Sequence, residues 1–386
     1  MDPRMTPAFS KAEYGRRLGD LRARMKSADL DGLLVVVAEN VNYLTGYETI
    51  GYSNFTMLVV RRDGEPVLFV REMERTVAET TTWLSDFEVF ADTDDPVDRS
   101  VELLRKRGWL EGRIGVELGD SFVSPTALDR LRHLLGRHAV DGTGLVEQGR
   151  RLKSGEEIAL IRQACRITEA AIAAALQTIR PGASENEVAA AAYAAMMAGG
   201  SDFMAGDPIV TSGWRSGVAH LTFGNRRLER GDTILLEMSG CRRRYFGPLM
   251  RGAAIPPVAD ATRRMAEVII EGLEAAIAAI RPGATSGEVD AACRAPIERA
   301  GFEPNFRKRT GYSVGVGYAP SWGEGHIVSL RRDDPTRLEP GMVFHMPPAL
   351  RIPLQYGLGF SETVLVTQTG CEVLTDCPRR LHVAGA

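Results

Sequence analysis

Cysteine is scarce in this chain and never arranged in close pairs. Its five copies (Cys165, Cys241, Cys293, Cys371 and Cys377) form no Cys-x-x-Cys spacing, which excludes a zinc ribbon or a thioredoxin-like motif. An odd number in a chain of 386 residues suits a reducing compartment. No sign of charge dominates either: 47 Lys and Arg stand against 50 Asp and Glu, a net of -3. That removes the electrostatic footprint of a nucleic-acid binder or a polybasic membrane face. Arginine clusters such as Arg242-Arg243-Arg244 are offset by acidic residues and read as solvated surface. No apolar run is long enough to span a bilayer, and the opening Met1-Asp2-Pro3-Arg4 lacks the apolar core of a signal peptide. The expectation is a cytoplasmic protein with neither nucleic acid nor membrane as partner.

What is present fits a globular protein of two domains: 44% hydrophobic and 25% charged residues over 386 positions. Residues 14–25 and 127–135 carry helical patterns, while 32–37, 56–60, 66–70 and 113–117 read as short strands. Arg62-Asp63-Gly64-Glu65 marks a hairpin between two of them. This first part is a mixed α/β domain. Ser154 followed by Glu157 is a capping box that opens a new amphipathic helix. The boundary is placed there, giving domains 1–150 and 151–386.

The second domain repeats itself. Ile179-Arg180-Pro181-Gly182-Ala183-Ser184 is matched by Ile280-Arg281-Pro282-Gly283-Ala284-Thr285. Each copy ends an Ala/Ile-rich helix, and each starts another with a capping box, Ser184 with Glu187 and Thr285 with Glu288. Two αβ halves related by a pseudo-twofold, with a cleft between them, are the predicted arrangement.

A repeated αβ domain behind a smaller α/β domain, with the phrases Asn42-Tyr43-Leu44-Thr45-Gly46-Tyr47, Gly231 to Glu237, and Leu338-Glu339-Pro340-Gly341-Met342, resembles the pita-bread family. That family includes aminopeptidase P, prolidase and creatinase, and the resemblance covers essentially the whole chain. It implies an α/β (α+β) fold: a curved antiparallel sheet in two pseudo-symmetric halves behind a creatinase-like N-terminal domain. The metal peptidases of the family hold two ions with five side chains. Carried over one position at a time, these fall at Glu237, Pro248, Tyr312, Pro347 and Ser361, with Glu362 immediately after the last. One carboxylate among five positions does not hold a dinuclear site. The expectation is no metal and no other cofactor.

Among metal-free branches, the phrases Ala219-His220-Leu221-Thr222, Glu237-Met238-Ser239-Gly240-Cys241, Arg309-Thr310-Gly311-Tyr312 and Phe344-His345-Met346-Pro347 look more like ectoine hydrolase than creatinase. Gly325-His326 after Glu324, Met250 before Arg251, and residues 48–55 depart from that pattern. The implied substrate is a small molecule with a delocalised amidine-type cation and a carboxylate. Glu237 and Glu324 are the expected grip on the cation, one of them also activating water or attacking. His220 falls where creatinase has its catalytic imidazole and would protonate the leaving nitrogen. Tyr312, in place of a metal-binding His, would donate to an oxyanion. Tyr245, Arg251, His326, His345, Trp322 and Glu362 are the further substrate-binding candidates, Arg251 for a carboxylate or for a structural ion pair.

The leading expectation is a metal-independent hydrolase opening an ectoine-like ring. A creatinase-like amidinohydrolase, a cyclase or lyase on a related amino acid derivative, a metal-dependent Xaa-Pro peptidase with a displaced site, and a non-catalytic binding protein stand as alternatives. The resemblance also implies a homodimer in which the partner's N-terminal domain closes the cleft.

Overall fold

The computed structural model describes residues 7–119 and 122–385; the opening stretch 1–4 read above lies outside them. The chain divides into two compact units, residues 1–150 and 151–386. Among the described residues no helix is long and apolar enough to cross a membrane.

The first unit is built on a six-stranded mixed sheet. Its order is Phe87–Phe90, Val67–Arg71, Met57–Arg61, Gly32–Val35, Ile114–Val116, Ala139–Asp141. The hairpin 57–61/67–71 forms in antiparallel register, Leu58 opposite Leu68. Helix Lys11–Ser27 starts because Ser10 caps it through the Glu13 amide, and it buries Tyr14, Leu18, Leu21 and Met25 at helical spacing. Helices Pro96–Lys106 and Pro125–Leu135 close one face through Val97, Val101, Leu104, Leu128, Leu131 and Leu135.

In the second unit each half follows one plan. Helices Gly155–Thr178 and Glu185–Ala198 belong to the first half, Asp260–Ala279 and Ser286–Arg299 to the second. The capping boxes at Ser154, Ser184 and Thr285 all form, each worth about 1 kcal/mol to its helix start. The turns between paired helices use Gly182 (φ 84°) and Gly283 (φ 83°), a left-handed conformation that favours glycine. Both glycine amides donate to equivalent carbonyls, Leu228 at 2.8 Å and Leu338 at 2.9 Å. Those two leucines lie in a second repeated phrase, Arg227-Leu228-Glu229-Arg230-Gly231 and Arg337-Leu338-Glu339-Pro340-Gly341. A strand follows each copy, Thr233–Met238 and Val343–Met346.

The first half's strands Ile209–Ser212, Thr233–Met238 and Leu249–Ala254 pair antiparallel, with His382–Val383 at the edge. The second half's strands Gly311–Tyr318, Val343–Met346, Glu362–Val366 and Cys371–Val373 form the main path of an antiparallel sheet, which continues through the short strand Tyr245–Phe246. Separate apolar cores lie under the two halves, one around Ile172, Val188, Leu236 and Leu249, the other around Ile269, Leu273, Phe344 and Val364.

Candidate functional site

Glu237 is placed by strand alternation. Ile234, Leu236 and Met238 point into the first half's core, so Leu235 and Glu237 face the other way. On that face Leu235 packs with Met250 and Ala349. The Glu237 side chain is 7% exposed, yet among the described residues it forms no hydrogen bond and no ion pair. Three groups feel its charge: the Tyr312 phenol, the Lys308 ammonium and the Arg351 guanidinium. Burial pushes Lys308 down to about 8, with the Arg351 and Arg309 charges adding to the push and Glu237 opposing it. Burial likewise lowers Arg351, against the pull of Glu237.

Tyr312 begins a hydrogen-bonded chain. Its strand pairs with Val343–Met346 so that Tyr312 sits opposite His345, the rings edge to face at 5.3 Å. His345 Nδ1 lies 3.0 Å from the Tyr312 hydroxyl, and Nε2 lies 2.8 Å from Ser361 Oγ. Ser361 Oγ also accepts the Met250 amide at 2.6 Å. Trp322 Nε1 donates to the Tyr312 oxygen at 3.0 Å. Two tautomers of neutral His345 satisfy these contacts: with the proton on Nδ1 the phenol oxygen accepts it and the phenol hydrogen is left to a third partner, and with the proton on Nε2 Ser361 accepts it and the phenol donates to Nδ1. Burial, then the nearby Lys308 charge, hold His345 well below the usual imidazole range, which keeps it neutral. Burial, then Glu237, push the Tyr312 phenol up, so it stays a donor.

Of the sequence-predicted residues, Glu237, Tyr312, His345 and Trp322 thus share one site. Glu324 does not join them. Its carboxylate is buried in an ion pair with Lys153 at 2.8 Å and accepts from Ser313 Oγ. Ser313 and Tyr312 are successive strand residues with side chains on opposite faces, so Glu324 lies behind the strand that presents Tyr312. Arg251 and Glu362 pair with each other at 2.8 Å. Arg251 is spent further on the carbonyls of Ser361, Cys377 and Pro378, and Glu362 on Arg379 and Thr375. These two therefore tie the strands together and face no cleft. Tyr245 is fully buried and donates to Glu157 at 2.9 Å. His220 and His326 are exposed on loops, His220 with φ 58°, and no contact links either to Glu237.

Sequence reasoning missed Lys308, Arg351 and the bridging role of Ser361. Alternation carried a usable signal for Arg351, since its neighbour Leu350 is core and Ala349 lies on the Leu235 face. Lys308 precedes the strand that starts at Gly311, so no periodicity reaches it.

The donor set does not fit a pair of metal ions. Of the five positions listed above, two are prolines without donor atoms, and the Tyr312 and Ser361 oxygens are engaged by His345. Among the described residues no three or more His, Cys, Asp or Glu side chains converge as metal ligands would.

A model of metallopeptidase family M24 matches residues 159–368, and one of the creatinase/prolidase N-terminal domain matches residues 17–152. An ectoine hydrolase from Halomonas elongata is 30% identical over 97% of this chain and 98% of its own length. A Xaa-Pro dipeptidase from Pyrococcus furiosus is 27% identical over 95% of this chain and 99% of its own. The crystal structure of dipeptidase PepE from Mycobacterium ulcerans superposes with a TM-score of 0.83 at 25% identity, covering 97% of this chain and 99% of that one. The repeated halves and the antiparallel sheets are the pita-bread architecture that such neighbours share. The chain is a hydrolase of metallopeptidase family M24, with a creatinase/prolidase N-terminal domain ahead of its pita-bread domain.

Proposed function

We propose that this chain hydrolyses a C–N bond in a small amidinium carboxylate, of the ectoine type, without a metal ion. The observation that carries the reading is Glu237, a buried carboxylate with no hydrogen bond or ion pair among the described residues, within electrostatic reach of the Tyr312 phenol. A planar amidinium offers paired N–H groups to such a carboxylate. Its central carbon is then held beside the same oxygens. Glu237 either takes a proton from an attacking water or attacks directly, in which case water releases the ester. In the first route Glu237 passes that proton to the departing nitrogen, the C–N bond breaks, the nitrogen leaves as an amine and the carbon ends as an amide. In the second, Tyr312 supplies the proton with which the amine leaves, and water then cleaves the acyl imidate to the amide and regenerates the Glu237 carboxylate and the phenol. Tyr312 donates to the heteroatom that gains electron density, with His345 and Ser361 holding the phenol in place. The similarity to the Halomonas elongata ectoine hydrolase supports this choice of substrate class. The Xaa-Pro peptidase reading needs ligands that Pro248 and Pro347 do not supply. A cytoplasmic homodimer belongs to the proposal on the resemblance alone.

The test is incubation of chelator-treated, metal-analysed protein with ectoine, following the product by mass. Turnover that survives chelation and disappears in Glu237→Gln is expected. Turnover lost on chelation and restored by a divalent ion, or cleavage of Xaa-Pro dipeptides in place of ectoine, overturns it.

A further inference from the structure

We propose that Lys308 and Arg351 form a carboxylate subsite beside Glu237, which restricts this cleft to zwitterions bearing a carboxylate next to a planar cationic C–N group. The inference deepens the preceding reading and rests on it for the cationic half of the ligand. Arg251, the sequence-based candidate for a carboxylate, is already saturated by Glu362 and four carbonyls.

The two cations here are different. Arg351 Nε is buried without a hydrogen-bond partner, an expensive state for a guanidinium nitrogen. The Lys308 ammonium is likewise bonded to no group among the described residues. Each feels the charge of Glu237, and Lys308 also feels Arg351, yet neither forms an ion pair with Glu237. Three charged groups lie within electrostatic reach of one another and, among the described residues, none of them pairs with another, so each keeps donors or acceptors for a ligand. The balance of sign points the same way: two half-buried cations feel one carboxylate, and His345 near them is neutral. An added anion balances the cluster. If that anion is carried by the molecule whose amidinium rests on Glu237, both ends are satisfied at once. Arg309, exposed over the Tyr312 ring at 5.0 Å, marks the same edge with further positive charge.

The test measures kcat/KM, or affinity by calorimetry where there is no turnover, for matched pairs with and without a carboxylate. The pairs are ectoine and its ring lacking the carboxylate, and creatine and 1,1-dimethylguanidine. Wild type is expected to prefer the carboxylate member of at least one pair. Lys308→Met and Arg351→Met each reduce that preference about 10- to 100-fold, the range for one hydrogen bond to a charged group, and leave the carboxylate-free member nearly unchanged. Arg307→Met, at an exposed neighbour bonded to the Pro304 carbonyl, leaves the preference intact. No preference in any wild-type pair, or a preference that survives both substitutions, overturns the subsite. Wild type that ignores ectoine but shows the preference in another pair keeps the subsite and discards the ectoine reading. Should a variant fail to fold, wild type alone decides. Its preference in kcat/KM, or in affinity for a pair that is not turned over, must decline as pH rises past about 8, where free Lys308 loses its proton. A flat profile overturns the subsite.

Discussion

Replacing Lys153 by Met leaves the Glu324 carboxylate buried without its cation. Both side chains are almost wholly inaccessible, and their contact is 2.8 Å. Stranding one member of such a pair costs about 3–5 kcal/mol. For a domain of this size each kcal/mol moves Tm by roughly 2–4 °C, so Lys153→Met is expected to melt roughly 6–20 °C below wild type. Glu324→Gln strands the ammonium and weakens the bond to Ser313, with a cost in the same range. The double variant Lys153→Met/Glu324→Leu removes both charges and recovers most of the loss. Because the pair lies behind the Tyr312 strand, all three variants keep kcat within about threefold of wild type at a temperature where they remain folded. Glu237→Gln gives the opposite pattern: no protein hydrogen bond is lost, so stability stays within about 1 kcal/mol while turnover collapses. Thermal melts and steady-state rates on one set of preparations read both quantities. A stable Glu324→Gln that has lost turnover by about 100-fold or more refutes the structural assignment of this carboxylate and restores it to the chemistry.

Tyr312→Phe removes the acceptor for Trp322 Nε1, the contact to His345 Nδ1 and the hydrogen offered to the substrate; kcat should fall about 100- to 1000-fold with little change in KM, and a loss under about threefold refutes the donor role. His345 should show neutral-imidazole nitrogen shifts in NMR at every pH from about 5 to 8, where a free histidine titrates, and a titration inside that window contradicts its neutral state. In the first unit, burial, with the Glu147 charge, pushes Glu117 up to about 8 from 4.5, against N–H donors from Val36, Val37 and Asn40. The folded state therefore keeps a proton that the unfolded chain has already lost. Its contribution is full below about pH 4.5 and is lost as pH rises through about 8. The urea midpoint of Glu117→Gln should lack that decline, and parallel pH profiles for wild type and variant refute it.

Much of the fold was legible because its signals are local. A capping box needs only four consecutive residues, so Ser154, Ser184 and Thr285 mark helix starts without knowledge of packing. The pseudo-twofold followed from the repeated Ile-Arg-Pro-Gly-Ala phrase. Its companion at 227–231 and 337–341 escaped notice because the spacing between the phrases differs in the two halves. The structure gives the companion its meaning, since Leu228 and Leu338 accept the hydrogen bonds that close both turns. The place of the short hairpin Cys241–Arg242/Tyr245–Phe246 in the sheet was not legible, because it joins through Tyr245 opposite Val316, far along the chain. The same limit decided the site. Tyr312 was marked by the family resemblance and His345 by strand alternation, whereas the partner that holds Glu324 behind the strand lies 171 residues away in sequence.

The positions that the family resemblance assigns to metal ligands are linked here to one another. Two of them, Tyr312 and Ser361, bond the two nitrogens of one imidazole, so they support a single hydrogen-bonded chain. The positive charge that ions would bring has a counterpart in Lys308 and Arg351. That exchange has a chemical consequence. A metal ion lowers the pKa of bound water to about 7 and polarises a neutral carbonyl, whereas fixed ammonium and guanidinium groups orient an anion without making hydroxide. On the proposed reading the missing activation must come from the substrate, and an amidinium carbon supplies it, because the group is cationic before any attack begins. A peptide carbonyl is neutral and brings no such help. On that reading Glu237, Tyr312, Lys308 and Arg351 match an electrophile that arrives already charged, held at one end by the carboxylate that acts on it and at the other by the two cations.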